Sequence, residues 1–266
     1  MEIQSASIER AFRMFYYGGQ YESALEAFIA RWGEPNTLTL HHVLAQGNQD
    51  EKVLAILMLG YSPQPDAQEM VIPFLQSSDP LERWASALSL GSQQDERAMP
   101  VLLTLFDEFL PPRMHPLERE GGRYHFWRMN VAALLGEWNK PAFASVLRAA
   151  LEKSWRFEQA DTSDRKQVWF PYQDELVYAL GQLRVFGALT GFSLPTARLH
   201  LWFVLLACGA IQVRDHYGDL LTAVQINTTL QEEIMRVLAQ HFGLSVSEQK
   251  ECIERFADLY FARMEW

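Results

Sequence analysis

Four times along the chain an apolar stretch ends in glycine: Ala55-Ile56-Leu57-Met58-Leu59-Gly60, Ala87-Leu88-Ser89-Leu90-Gly91, Ala132-Ala133-Leu134-Leu135-Gly136 and Val177-Tyr178-Ala179-Leu180-Gly181. The glycines are 31, 45 and 45 residues apart, and recurrence at such a period marks stacked supersecondary units. After each of the first three comes a short polar link and then a second apolar stripe. The stripes are Val71, Ile72, Phe74 and Leu75; Val101, Leu102, Leu105 and Phe106; and Phe143, Val146, Leu147 and Leu151. Spacings of three and four are those of a helix with one buried face. The pattern predicts helix, tight turn, helix, with each glycine closing the first helix in the left-handed conformation and leaving room for the second to fold back. Asp79 is placed to cap such a helix, with Pro80 at its first position.

The ends read differently. Residues 3 to 32 suggest two helices around Gly18-Gly19, and residues 228–242 and 245–264 suggest a last pair, broken at Gly243 and capped by Ser245 or Ser247. Terminal units must close the core against water, so both are expected to be caps. The expected organisation is one all-α domain over 1–266: an N-terminal helical cap over 1–46, repeats over 47–212 and a C-terminal cap over 213–266. Two long connections interrupt the repeats. The first, 110–123, holds Pro111-Pro112, Pro116 and Gly121-Gly122; the second, 154–173, holds Trp155, Phe157, Trp169, Phe170 and Tyr172. Both follow the second helix of a repeat, so they are expected on one edge of the stack, forming a ridge. Loops of more than about 12 residues in a compact domain are usually functional or disordered, and the aromatic content of the second argues for order.

The unit from Asp79 to Gly91, followed by Asp95-Glu96-Arg97-Ala98-Met99-Pro100-Val101-Leu102-Leu103, resembles the HEAT-like repeats of bacterial proteins, including those of phycobilisome lyases. The resemblance covers roughly residues 49 to 153 well and 168 to 212 less well. It implies an α-α superhelix, a HEAT-like solenoid of stacked antiparallel pairs, and says little about function because such repeats serve many roles.

Charge and chemistry narrow the functions. A net charge of −10 sets a repulsive average field against a phosphate backbone, which argues against nucleic acid. The most apolar run, Leu201 to Ile211, is about half of what a membrane span needs, and Met1 to Arg10 lacks the apolar centre of a signal peptide. A cytoplasmic protein is expected, and Asn227-Thr228-Thr229, formally a glycosylation acceptor, reads as an accident. Cys208 and Cys252 sit in apolar patterns where a thiol is inert. His41 and His42 diverge by about 100° on a helix and cannot readily share an ion. No histidine is followed by Glu, unlike the repeated His-Glu pairs of HEAT-like iron hydroxylases. No metal, cofactor or catalytic residue is expected. Glu118 with Glu120, Asp161 with Asp164 and Asp174 with Glu175 read as loop solubility and helix capping; His200 reads as a hydrogen-bonded core or groove residue, and His241 as a complement to a helix dipole.

One constellation remains. Arg119, Arg123, Tyr124, His125, Phe126, Trp127 and Arg128 gather charge and aromatic surface in an acidic chain, and Arg, Tyr and Trp dominate binding hot spots. Phe126 and Trp127 taken singly read as core; Arg123, Tyr124 and His125 together read as surface. The expected function is a non-catalytic scaffold that binds a protein or peptide in its groove. The binding surface is placed on a ridge carrying Arg123, Tyr124, His125, Trp169 and Tyr172, with Arg97, Thr104, Glu108 and Arg148 on the groove wall. The alternatives follow from resemblance: a lyase or chaperone-like enzyme holding an acidic chromophore, or a HEAT-like glycosylase, which the acidity disfavours.

Overall fold

The computed structural model describes residues 3–16, 21–108, 119–160, 170–213 and 227–264, with backbone alone for 105–108, 119–126, 160, 170–171 and 257–264. The described residues contain helices and turns and no strand. The protein is all-α, with the helix pairs of a HEAT-like repeat. Two units divide the chain, residues 1–134 and 135–266.

In the first unit α1 (Ser5–Tyr16), α2 (Glu22–Trp32) and α3 (Thr37–Gln46) precede α4 (Gln49–Tyr61), α5 (Pro65–Glu69), α6 (Pro80–Ser92) and α7 (Met99–Glu108). The helix α4 packs against α1, α3 and α6. It is therefore buried on every side from Val53 to Tyr61, which is why this segment is apolar without a polar face. Its neighbour α6 is likewise buried from Trp84 to Gly91. Buried serines on α6 are satisfied by backbone carbonyls: Ser89 donates to that of Ala85 in the same helix at 2.7 Å and Ser86 to that of Val71, ahead of the helix, at 3.0 Å. Asp79 caps α6 as expected, accepting from the amides of Leu81 and Glu82. The second element of the first repeat is not the continuous helix its stripe suggests. It is α5 followed by a 3-10 turn, Ile72–Gln76, because Pro73 offers no amide to continue an α-helix.

The helix α8 (Arg119–Glu137) crosses the division. The second unit continues with α9 (Phe143–Ala160), α10 (Phe170–Gln182), α11 (Thr196–Ala210), α12 (Thr228–Phe242) and α13 (Val246–Met264). There α10 packs between α9 and α11, and α11 also meets α12 and α13. The fourth repeat has no full second helix; the 3-10 turn Phe186–Leu189 stands in its place. Gly243 ends α12 in the left-handed region at φ 66°. Ser245 and Glu248 form the capping box of α13, with the Ser245 amide donating to Glu248 at 2.7 Å. Asn227 caps α12 through the Leu230 amide.

The repeat glycines do not close their helices. Gly60, Gly91, Gly136 and Gly181 all lie inside helices, and positive φ falls instead on Gln94, Asn139, Arg184 and Gln212 at 59°, 49°, 57° and 54°. Each follows a helical glycine by three residues. The Asp95 amide reaches the Leu90 carbonyl at 3.1 Å while that of Gln94 reaches Gly91 at 2.9 Å, the paired bonds of a Schellman closure. The same pairs recur from Val185 and Arg184 and from Val213 and Gln212. The helical glycines serve the other expected purpose, close approach. A Cβ on Gly60 would sit 2.6 Å from Cβ of Ser89, and one on Gly136 would sit 3.0 Å from Cα of Ala179. A fifth glycine, Gly209, closes the series on α11.

Both expected insertions are shorter than their patterns suggest. The helix α8 begins at Arg119, so Arg123, Tyr124 and His125 are helical; Gly121 and Gly122 cost a helix about 1 kcal/mol each without breaking it. The helix α9 runs on to Ala160 and α10 starts at Phe170, which removes Trp155 and Tyr172 from the second connection.

Candidate functional site

The expected groove-wall residues divide between the units. In the first, Arg97 occupies the 3-10 turn Glu96–Ala98 ahead of α7, where Asp95 accepts from its backbone amide. Its guanidinium meets Asp95 at 2.7 Å and Glu69 at 3.1 Å, and its side chain is half exposed. Hydrogen bonding to these carboxylates raises the pKa of Arg97, and that to Arg97 lowers that of Asp95. Thr104, on α7, is exposed and donates to the Val101 carbonyl at 2.7 Å. In the second unit, Arg148 on α9 pairs with Glu152 at 3.2 Å and donates to the Thr190 carbonyl at 3.0 Å. These three side chains bear polar surface on the second elements of repeats, with no role in the apolar core. Glu108 ends α7, and its side chain, like those of Arg123, Tyr124 and His125, is outside the described residues, as is Trp169.

Tyr172 does not belong to a binding surface. It is fully buried on α10, one turn before the buried Leu176, so it shares the core-facing stripe of that helix. Trp127 is also buried; its indole donates to the Met14 carbonyl at 2.9 Å and its ring lies 5.8 Å from that of Trp84. Arg128 beside it is buried too.

No local sequence pattern brings together the buried polar cluster that the described residues of the second unit contain. Arg198 on α11 donates to Glu158 on α9 at 2.6 Å and to Gln173 on α10. Its guanidinium lies 4.9 Å from the ring centroids of both Trp155 and Trp202, within cation–π range. The Trp202 indole donates to Asp174 at 2.9 Å, and Phe192 packs edge-on against both tryptophans. Asp174 and Glu175 are buried, which corrects their reading as solubilising loop residues. The signal lay in their neighbours: Val177, Leu180 and Gly181 put the start of α10 inside the stack, and Arg198 stands one turn from Trp202.

Cys208 and Cys252 are buried, and burial pushes their thiols up to about 12 and about 11. His241, in the last turn of α12, stacks on Phe186 at 3.7 Å with the rings 10° apart. His200 is half-buried, and its Nδ1 has no hydrogen-bond partner among the described residues. No described helix is long and apolar enough to cross a membrane.

Residues 37–111 match the family model described as HEAT repeats. No curated protein and no solved structure matches the chain. With the helix pairs above, the segment from α3 through α7 is a HEAT-repeat array within an all-α protein.

Proposed function

We propose that the protein is a non-catalytic binding module, cytoplasmic, that holds a protein or peptide against the second elements of its repeats. The observation that carries this reading is a division of labour. The first helices α4 and α6 are consumed by the core, whereas Arg97, Thr104 and Arg148 on second elements present polar surface. Polar side chains on the second elements of a helical repeat are the kind of surface through which such repeats meet a partner. Arg123, Tyr124 and His125 at the start of α8 are proposed as an adjoining part of that surface. The lyase-like reading would draw on the basic and aromatic run from Arg119 to Arg128, but Trp127 and Arg128 are committed to packing.

Site-specific photo-cross-linking tests the proposal. A benzophenone side chain at Thr104 or Ser145, both exposed on second helices, should give one discrete cross-linked protein in the native source. The same group at Glu22 on α2 should not. Equal labelling from all three positions, or from none, would overturn the assignment of the face.

A further inference from the structure

We propose that the Glu158–Arg198 network is a register lock: it fixes how α10 and α11 lie against each other and adds conformational specificity without adding net stability. The two helices run side by side in the same direction, as their pairings show. Gln173 meets Arg198, Asp174 meets Trp202, Tyr178 donates to the Val213 carbonyl at 2.5 Å, and Gly181 faces Leu206 and Gly209. Packed helices resist sliding because side-chain ridges sit in grooves. At the Gly181 end there is no ridge, since a glycine faces a glycine and backbone touches backbone. The Tyr178–Val213 hydrogen bond ties the helices near that end, and the rest of the register must be set elsewhere along the pair.

The polar end is built to set it. Arg198 can meet Glu158 on α9, Gln173 on α10 and the faces of Trp155 and Trp202 in one axial position alone; a slip of a single residue rotates the guanidinium out of the slot. A lone buried polar residue fixes register in coiled coils by the same logic. The network is also not arranged for maximal stability. Glu158 and Gln173 are at least nine-tenths buried, yet among the described residues Oε2 of Glu158 and Nε2 of Gln173 lack a hydrogen-bond partner. Desolvation of a buried pair with lone pairs and protons left over offsets its Coulombic gain, and apolar replacement of the whole pair is often neutral or stabilising, whereas removal of one partner is costly.

The test compares Glu158→Leu with the double variant Glu158→Leu, Arg198→Met in the full chain. The single variant should melt below the parent. The double variant should melt at or above the parent, while the Trp202 indole N–H resonance splits or broadens and backbone exchange in α10 and α11 accelerates. A double variant that melts as low as the single one, or does not fold, would show that the pair supplies net stability, and the proposal fails. A double variant with one sharp Trp202 resonance and the parent's exchange rates would show that register is set elsewhere, and the proposal fails equally.

Discussion

A Cβ built on Gly209 would lie 3.0 Å from the Cα of Gly181, and nearer still to the Tyr178 carbonyl oxygen. These are backbone atoms of a neighbouring helix, so no rotamer change relieves the overlap. Gly209→Ala should therefore force α10 and α11 apart and destabilise the protein by about 2 kcal/mol or more, within the range of overpacked cores. Urea unfolding of this variant measures it. Gly91→Ala is the internal comparison: its Cβ would meet Cδ1 of Leu102 at 2.8 Å, the end of a flexible side chain, and the loss should be smaller.

Left-handed backbone at Arg184 and Gln212 leads to the opposite prediction. A left-handed L-residue costs roughly 1–2 kcal/mol, against about 0.5–1 kcal/mol of extra chain entropy when glycine replaces it. Arg184→Gly and Gln212→Gly should each stabilise by about 0.5–1 kcal/mol in thermal or urea unfolding. Asn139→Gly should gain less, since Asn tolerates this conformation better than most residues.

The periodic apolar runs ending in glycine made the all-α repeat legible, because burial on every side requires an apolar helix and close crossing requires a small residue. Two functions of glycine, left-handed closure and close approach, leave the same mark in a sequence, and here the second applies while Gln94, Asn139, Arg184 and Gln212 do the closing. Ala207-Cys208-Gly209 carries the same mark at a shorter period, set by the missing second helix of the fourth repeat. The Arg198 cluster was not legible. Its members come from three helices, and no local pattern says that Glu158, Gln173 and Arg198 converge.

Tyr172→Ala separates the core reading from a surface one. Removing a fully buried aromatic ring should cost about 3–5 kcal/mol, as for other large-to-small core changes. Thermal melting reads it, and a Tyr172→Ala protein with the parent's stability would contradict the burial described here.

Raised pKa values make stability fall on the alkaline side. The unfolded thiols titrate near about 8.5 and tyrosine near about 10, whereas burial holds Cys208 up to about 12, Cys252 up to about 11 and Tyr61 up to about 12. Below pH about 8.5 the stabilisation of the neutral groups is fully present. Above it the unfolded chain releases protons that the folded one retains, so stability drops progressively toward pH 11 and 12. Folded protein at pH 8 should leave both thiols unreactive to a disulfide reagent, and denaturant should expose two per chain.

The binding assignment is tested most directly by pairing affinity with stability. Arg97, Thr104 and Arg148 stand on partly or fully exposed surface, where an ion pair contributes about 0–1 kcal/mol. Arg97→Ala, Thr104→Ala and Arg148→Ala should therefore melt close to the parent. The measurement is the dissociation constant of the cross-linked partner, in purified form, for each variant beside its melting temperature. The account predicts that at least one of these changes weakens binding about fivefold or more, the effect of a hot-spot residue worth about 1 kcal/mol, at unchanged melting temperature. Parent-like affinity in all three and in their combination would contradict it.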